Sequence, residues 1–290
     1  MPVFIKKNGV SVPFFIKKDG EFVPKVTSLV CEKLFITIPI EVGQQHEVLK
    51  LINEHGSHKQ YNRRYGCSYK FNMPKNFDII TNIYDDKTGE SHVLIQCAPK
   101  NKMWNFLRIE FNPSKIFMVE FQSLMDLIVP NMSYFELMSK AIINRIDLTV
   151  DVLNVPIDRL YFYSKRTSYS NVITKSGKTI KLGDDSSERQ FCIYDKIEEI
   201  KNKNSKKVKT IKEVVPLFDV VRVEFRARFK NKMKFENLGA QFNPFSKLTV
   251  WKFPEEAWSK SSLFKLILKL AKYEGLQPAL LLVKPLEKKQ

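Results

Sequence analysis

Arg145-Ile-Asp-Leu-Thr-Val-Asp151 alternates polar or charged residues with apolar ones. A period of two predicts a β-strand whose arginine and acids share one face while its apolar side chains turn to a core. Two other segments have the same order of Arg, apolar residue and acid, Arg108-Ile-Glu110 and Arg222-Val-Glu224, and both lie in apolar, strand-like surroundings. Between the last two runs Gln190-Phe-Cys-Ile-Tyr-Asp-Lys196. Alternation puts Gln190, Cys192, Tyr194 and Lys196 on one face of that strand and Phe191, Ile193 and Asp195 on the other. If these strands adjoin, one wall of a sheet carries carboxylates, arginines, a tyrosine and a lysine.

The strands repeat in order. Cys31-Glu-Lys-Leu-Phe-Ile-Thr-Ile-Pro39 resembles the Asn144–Asp151 stretch, Ser91–Lys100 can be laid on Glu188–Lys196, and Trp104–Phe111 on Val220–Phe225. In this alignment Phe35 stands at the place of Asp147 and Ala98 at the place of Tyr194, so the chemistry survives only in the second copy. The expected class is α+β: two related, mostly antiparallel sheet halves with flanking helices, an internal duplication, followed by a C-terminal helical segment. The expected divisions are an N-terminal hairpin extension at 1–25, a first, catalytically degenerate half at 26–139, a second, catalytic half at 140–232, and a C-terminal segment at 233–290.

Within the extension, Phe4-Ile-Lys-Lys-Asn-Gly9 and Phe15-Ile-Lys-Lys-Asp-Gly20 form a small tandem repeat. Asn-Gly and Asp-Gly are strong hairpin signals. Helical periodicity predicts helices over Glu47–Asn53, from Pro113 or Ser114 into Phe121–Leu127, over Ser133–Lys140 with Ser133 as cap and Glu136 three residues on, and over Pro156–Lys165. The clearest amphipathic stretch is Pro254–Glu274, ended by Gly275. Lys201–Lys212 holds six lysines and no acid. Such a run reads as a solvated loop, or as a phosphate-holding one beside the tyrosine strand.

The whole chain is strongly basic: 48 Lys+Arg against 31 Asp+Glu over 290 residues give a formal charge of +17. An excess of that size points to a polyanionic partner, nucleic acid before a membrane surface. No apolar run reaches the roughly 18 residues of a membrane span, and the first residues lack a signal-peptide pattern, so a cytoplasmic protein without a membrane partner is expected. Cys31, Cys67, Cys97 and Cys192 are too scattered for a disulfide ladder or a zinc site and read as reduced thiols. There is no phosphate-binding Gly-Lys-Ser/Thr loop, no dinucleotide-binding glycine pattern and no His-apolar-His pair.

The residue types on the proposed wall suit attack on a phosphodiester. Tyr194 would be the nucleophile, Lys196 would offset phosphate charge or favour the phenolate, and Arg145 and Arg222 would clamp phosphate or orient the acids. A divalent cation, Mg²⁺ or Mn²⁺, would polarise the phosphate and stabilise the leaving oxygen. Asp147, Glu224 and a third acid would hold it, with Glu198 the first choice and Asp151 and Glu110 as alternatives. The same spacing also suits cross-strand ion pairs on a solvated face, with the tyrosine merely packed. Tyr61, Tyr65 and Tyr69, set among Arg63, Arg64 and Lys70, suit DNA contact or base stacking better than cleavage.

Leu107-Arg-Ile-Glu-Phe-Asn-Pro113, Arg145–Asp151, Tyr194-Asp-Lys-Ile-Glu-Glu199 and Arg222-Val-Glu-Phe225, in that order, resemble the Rep_trans family. These are rolling-circle replication initiators of small plasmids, with related nickases of mobile elements and phages. The resemblance covers about residues 26–232. It implies nicking of one origin strand by a tyrosine that becomes linked to the 5′ phosphate, leaving a free 3′-OH, with later strand transfer that rejoins the DNA. It also implies a divalent metal, a homodimer, a host replicative helicase as partner, and origin DNA engaged both as duplex and as extruded single strand. Carried over, the nucleophile is Tyr194 and the metal ligands are Asp147, Glu224 and Glu198. The resemblance places origin recognition toward the C-terminal part, where Lys260, Lys265 and Lys269 lie. Lys201, Lys206, Lys207 and Lys209 of the lysine-rich loop are the further DNA-binding candidates.

Overall fold

A computed structural model describes residues 3–7, 10–14, 17–18, 21–22, 25–58, 64–74, 90–157, 160–164, 169–174, 177–203, 219–238, 245 and 248–252. The chain divides into two compact units. Unit I comprises Val30–Leu148 and Arg226–Asn243; unit II comprises Met1–Leu29, Thr149–Phe225 and Pro244–Gln290. These bounds differ from the division expected from sequence because two long strands contribute residues to both units.

Unit II opens with two small hairpins. Strand β1 (Val3–Lys7) pairs with β2 (Val10–Phe14), and β3 (Lys17–Lys18) with β4 (Glu21–Phe22), each antiparallel. The Asn-Gly and Asp-Gly turns themselves lie outside the described residues. A short β5 (Lys25–Val26) follows.

Unit I then runs through β6 (Val30–Ile38), α1 (Val42–His55), β7 (Ser57–His58), β8 (Tyr65–Pro74), β9 (Glu90–Pro99), β10 (Leu107–Phe111), a 3-10 turn at Pro113–Lys115, α2 (Met118–Ile128) and α3 (Tyr134–Lys140). Strand β11 (Ile142–Leu153) begins in unit I, and β16 (Val220–Met233) returns to it. Its strand order is β16-β11-β6-β10-β9-β8-β7.

In β10 the alternation is plain: Leu107, Ile109 and Phe111 are buried, while Arg108 and Glu110 are half-buried. Helix α2 covers the apolar side with Phe121, Leu124, Met125 and Ile128, spaced to fall on one helical stripe. Phe121 stacks on Phe111 with ring centroids 4.2 Å apart. Burying a side chain of this size contributes roughly 1.5–3 kcal/mol.

The expected helix from Pro113 is interrupted. Ile116 and Phe117 are extended, so the turn and α2 are separate pieces. Ser133 caps α3 as expected, its hydroxyl accepting from the Glu136 N–H at 3.3 Å.

The rest of unit II holds β12 (Leu160–Ser164), β13 (Tyr169–Thr174), β14 (Gly177–Leu182), β15 (Arg189–Asp195), α4 (Lys196–Lys203) and β17 (Leu248–Lys252). Its main strand order is β13-β14-β15-β16-β11, with β5 added on β11. The helix expected over Pro156–Lys165 is instead strand β12, paired antiparallel with β17. Leu160, Phe162 and Ser164 are buried at alternate positions, so the period of two overrides the helical pattern there. The stretch Pro254–Glu274 lies outside the described residues.

Strand order is alike in the two expected halves except for β12, which leaves the main sheet to pair with β17. The earliest strand borders the latest: β6 beside β10 with β9, β8 and β7 beyond, and β11 beside β16 with β15, β14 and β13 beyond.

Candidate functional site

Strand β15 presents two unlike sides. Phe191 packs against Phe225 of β16 and against Phe245, with centroids 5.0 and 6.1 Å apart, which fixes the apolar side of unit II. Val221, Val223 and Phe225 alternate to that side, so Arg222 and Glu224 point the other way, toward the side that carries Gln190, Cys192 and Tyr194. On β14, Thr179 lies opposite Tyr194 and Lys181 opposite Cys192. Asp151 joins this side through Arg222: Nε to Oδ1 and Nη2 to Oδ2 are both 2.8 Å. Thus one face of unit II gathers Asp151, Thr179, Lys181, Gln190, Tyr194, Arg222 and Glu224.

Gln190 and Lys181 are held at the β14–β15 connection. Gln190, fully buried, donates from Nε2 to the Gly183 carbonyl at 3.1 Å and to Asp185 Oδ1 at 2.8 Å. Lys181 also reaches Asp185, at 2.9 Å. These bonds pin the β14–β15 connection, where Gly183 takes a φ of 96° that a side chain would strain. Tyr194 is half-buried.

Lys196 does not continue the strand. Asp195 Oδ1 accepts the Glu198 N–H at 2.9 Å and starts α4, so Lys196 and Glu198 occupy the first helical turn. The alternation that put them on the tyrosine's face by strand geometry therefore ends at Asp195. Lys196 nonetheless stays with the tyrosine: its Nζ lies 5.9 Å from the Tyr194 ring centroid and 2.6 Å from Glu199 Oε2. Glu198 is exposed. Glu199, not singled out in the sequence, is what orients Lys196. The Asp195-x-x-Glu198 capping pattern was its readable signal.

Unit I holds the other expected acid. Arg145 grips Asp147 side-on, Nε to Oδ1 at 2.7 Å and Nη2 to Oδ2 at 2.6 Å, with the aspartate side chain 2% exposed. The Arg145 guanidinium also lies 5.3 Å from the Phe35 ring centroid, and Arg108 and Lys33 approach the same ring at 5.1 and 5.0 Å. Lys33 pairs with Glu110 at 2.7 Å, and Arg108 donates to Gln96. Phe35, at the place of Asp147 in the sequence alignment, is thus the hub of a cation–aromatic cluster. Burial pushes the Cys31 thiol up to about 12, with the Asp147 carboxylate a lesser cause.

The carboxylates do not assemble as a ready-made metal centre. Both oxygens of Asp147 and of Asp151 face guanidinium groups, Glu198 is exposed, and among the described residues no three His, Cys, Asp or Glu side chains group as metal ligands. Arg145 and Arg222 each pair with one of these aspartates. Glu110, the other alternative ligand, is engaged by Lys33.

Tyr65 and Tyr69 differ from their expected exposure. Each is 4% exposed, with hydroxyls directed to the Asn105 carbonyl at 3.5 Å and Asn53 Oδ1 at 3.3 Å. Burial raises both phenols, Tyr69 to about 12. They are core residues, not a stacking platform. Lys201 lies in the backbone of α4, while Lys206, Lys207, Lys209, Lys260, Lys265 and Lys269 lie outside the described residues, as does Tyr61. No described helix is long and apolar enough to cross a membrane.

No protein-family model matches the chain, and no curated protein matches it. Among solved structures, the chain is similar to the rolling circle replication initiator protein from Geobacillus stearothermophilus, with 13% identity and a TM-score of 0.36 over 70% of this chain and 75% of that one.

Proposed function

We propose that this protein binds DNA and nicks one strand through Tyr194, as the initiator of a rolling-circle type of replication. The observation that carries the reading is the half-exposed Tyr194 with the Lys196 ammonium 5.9 Å from its ring, on a face shared with Asp151, Arg222 and Glu224. A formal charge of +17 supplies the attraction to a polyanion. The order of motifs resembling Rep_trans initiators supports the same chemistry.

In the proposed reaction the Tyr194 oxygen loses its proton and attacks the phosphorus. The bond from phosphorus to the 3′ oxygen breaks, and that oxygen leaves as a free 3′-OH after taking up a proton. The 5′ phosphate stays on Tyr194, so the ester energy is kept for rejoining and no nucleotide cofactor is needed. Lys196, oriented by Glu199, offsets charge near the phenol, and Arg222 holds Asp151 in place. A divalent cation, origin specificity, dimerisation and helicase loading belong to the proposal through the family resemblance. Because the acids do not form a ligand set by themselves, no step is assigned to the cation.

The test is incubation of the full chain with supercoiled plasmids and Mg²⁺ or Mn²⁺, then mapping of any protein–DNA adduct. The wild type is expected to give open circles and an adduct on Tyr194, and Tyr194→Phe neither, while DNA affinity is kept. Normal nicking by Tyr194→Phe overturns the assignment.

A second reading has its own support. Asp147 and Asp151 are both engaged in arginine pairs, as in a non-enzymatic DNA-binding protein whose acids are structural. It predicts no covalent adduct with any DNA or metal.

A further inference from the structure

Strand β16 continues past the tyrosine's neighbours as Arg226-Ala-Arg-Phe-Lys-Asn-Lys232, seven residues with four cations and no acid. All seven belong to unit I. The strand is unbroken, so Arg226, Arg228, Lys230 and Lys232 fall on one side of it. Burial follows the same alternation at its start: Ala227 is 1% exposed, while Arg226 and Arg228 on either side of it are half-buried. Further along, Lys230 and Lys232 are exposed.

We propose that this side of β16 is a track for the backbone of a single strand of DNA. A strand advances about 3.3 Å per residue, so the four cations recur every ~6.6 Å and span ~20 Å in a nearly straight line. A duplex backbone does not fit such a line. B-form DNA completes a turn in about 34 Å, so over ~20 Å its phosphates rotate more than half-way round the axis and leave the track. An extended single strand has no such rotation and can lay successive phosphates along the ladder. Lys230 and Lys232 are exposed along it, and the guanidinium groups of Arg226 and Arg228 are of a kind that suits phosphate oxygens. The class of partner rests on the DNA reading above, but none of the four cations takes part in the proposed nicking.

The test uses the full chain and fluorescence anisotropy with an oligothymidylate of about 16 nucleotides and a duplex of equal length, titrated with salt. Lys230→Ala/Lys232→Ala is expected to weaken single-strand binding and to lower the slope of log K against log salt by about 1.4, about 0.7 for each phosphate no longer neutralised. Duplex affinity should fall by a smaller factor, and the thermal unfolding midpoint should stay that of the wild type. Lys230→Glu/Lys232→Glu should give a larger loss on the single strand. An unchanged slope overturns the track, and an equal loss on duplex overturns its assignment to single strands. Since the readout is binding, Tyr194 adduct formation in the same variants separates a failed track from a failed nickase.

Discussion

Asp151 and Arg222 meet through two parallel hydrogen bonds of 2.8 Å, and both side chains are only 7% exposed. The pair ties β11 to β16 in unit II, on the side of the sheet that carries Tyr194. Removing one member of a buried guanidinium–carboxylate pair leaves the charge of the other uncompensated.

Arg222→Ala should therefore lower stability by about 3–5 kcal/mol, because Asp151 is left as an uncompensated buried charge. Replacing both, as Arg222→Met with Asp151→Leu, should recover most of that loss. Urea unfolding of the three proteins checks this. A double variant no more stable than the single one would show that the pair does more than neutralise itself.

Lys196 and Glu199 form a pair that is 18% and 15% exposed at the start of α4. Its contribution to stability is small, on the order of 1 kcal/mol. Lys196→Met should leave the unfolding midpoint near that of the wild type and slow single-turnover nicking about 100-fold or more, the lower range for a group that assists proton loss from a nucleophile. Nicking at the wild-type rate would reduce Lys196 to a helix-start residue.

Two backbone positions in unit I have opposite expectations. A Cβ on Gly56 would sit 2.8 Å from the Ile52 carbonyl oxygen and 2.8 Å from the Phe71 ring, so Gly56→Ala should cost about 1–3 kcal/mol through overpacking. Ala98 holds a φ of 55°, which glycine adopts freely, so Ala98→Gly should stabilise by about 1 kcal/mol. Thermal melts of the two variants moving in the same direction would contradict this.

Alkaline pH should unfold the protein through its thiols. Cys97 is fully buried, and burial raises its thiol from 9.0 to about 12. A thiol raised in the folded state favours folding below its unfolded value, and that contribution is lost as pH climbs from 9 toward 12. Cys31 behaves alike, also raised to about 12 by burial. Stability should fall between pH 9 and 11, and less steeply in Cys97→Ala, whose lower starting stability is measured at pH 7. An identical slope in that variant would acquit Cys97.

Much of the sheet is legible in the sequence. The four strands around Arg108, Arg145, Tyr194 and Arg222 are all present, because alternation is a local property that burial on one side enforces. Ser133 and Glu136 mark the start of α3 for an equally local reason, the need of first-turn N–H groups for an acceptor. Leu160–Ser164 is strand rather than the expected helix, since so short a run fits either period and only pairing with β17, far later in the chain, decides between them. Lys196 leaves the strand that alternation assigns it because the helix-starting role of Asp195 competes with alternation at that one residue.

The sequence by itself determined the alternating strands, the basic balance and the polar side of β15 and β16, because each depends on neighbours within a few residues. Only the tertiary structure decided which acid each arginine grips, that Phe35 gathers three cations, and that Tyr65 and Tyr69 are buried. Those outcomes depend on strand order and register, which bring together residues far apart in the chain and so leave no mark in any single stretch of it.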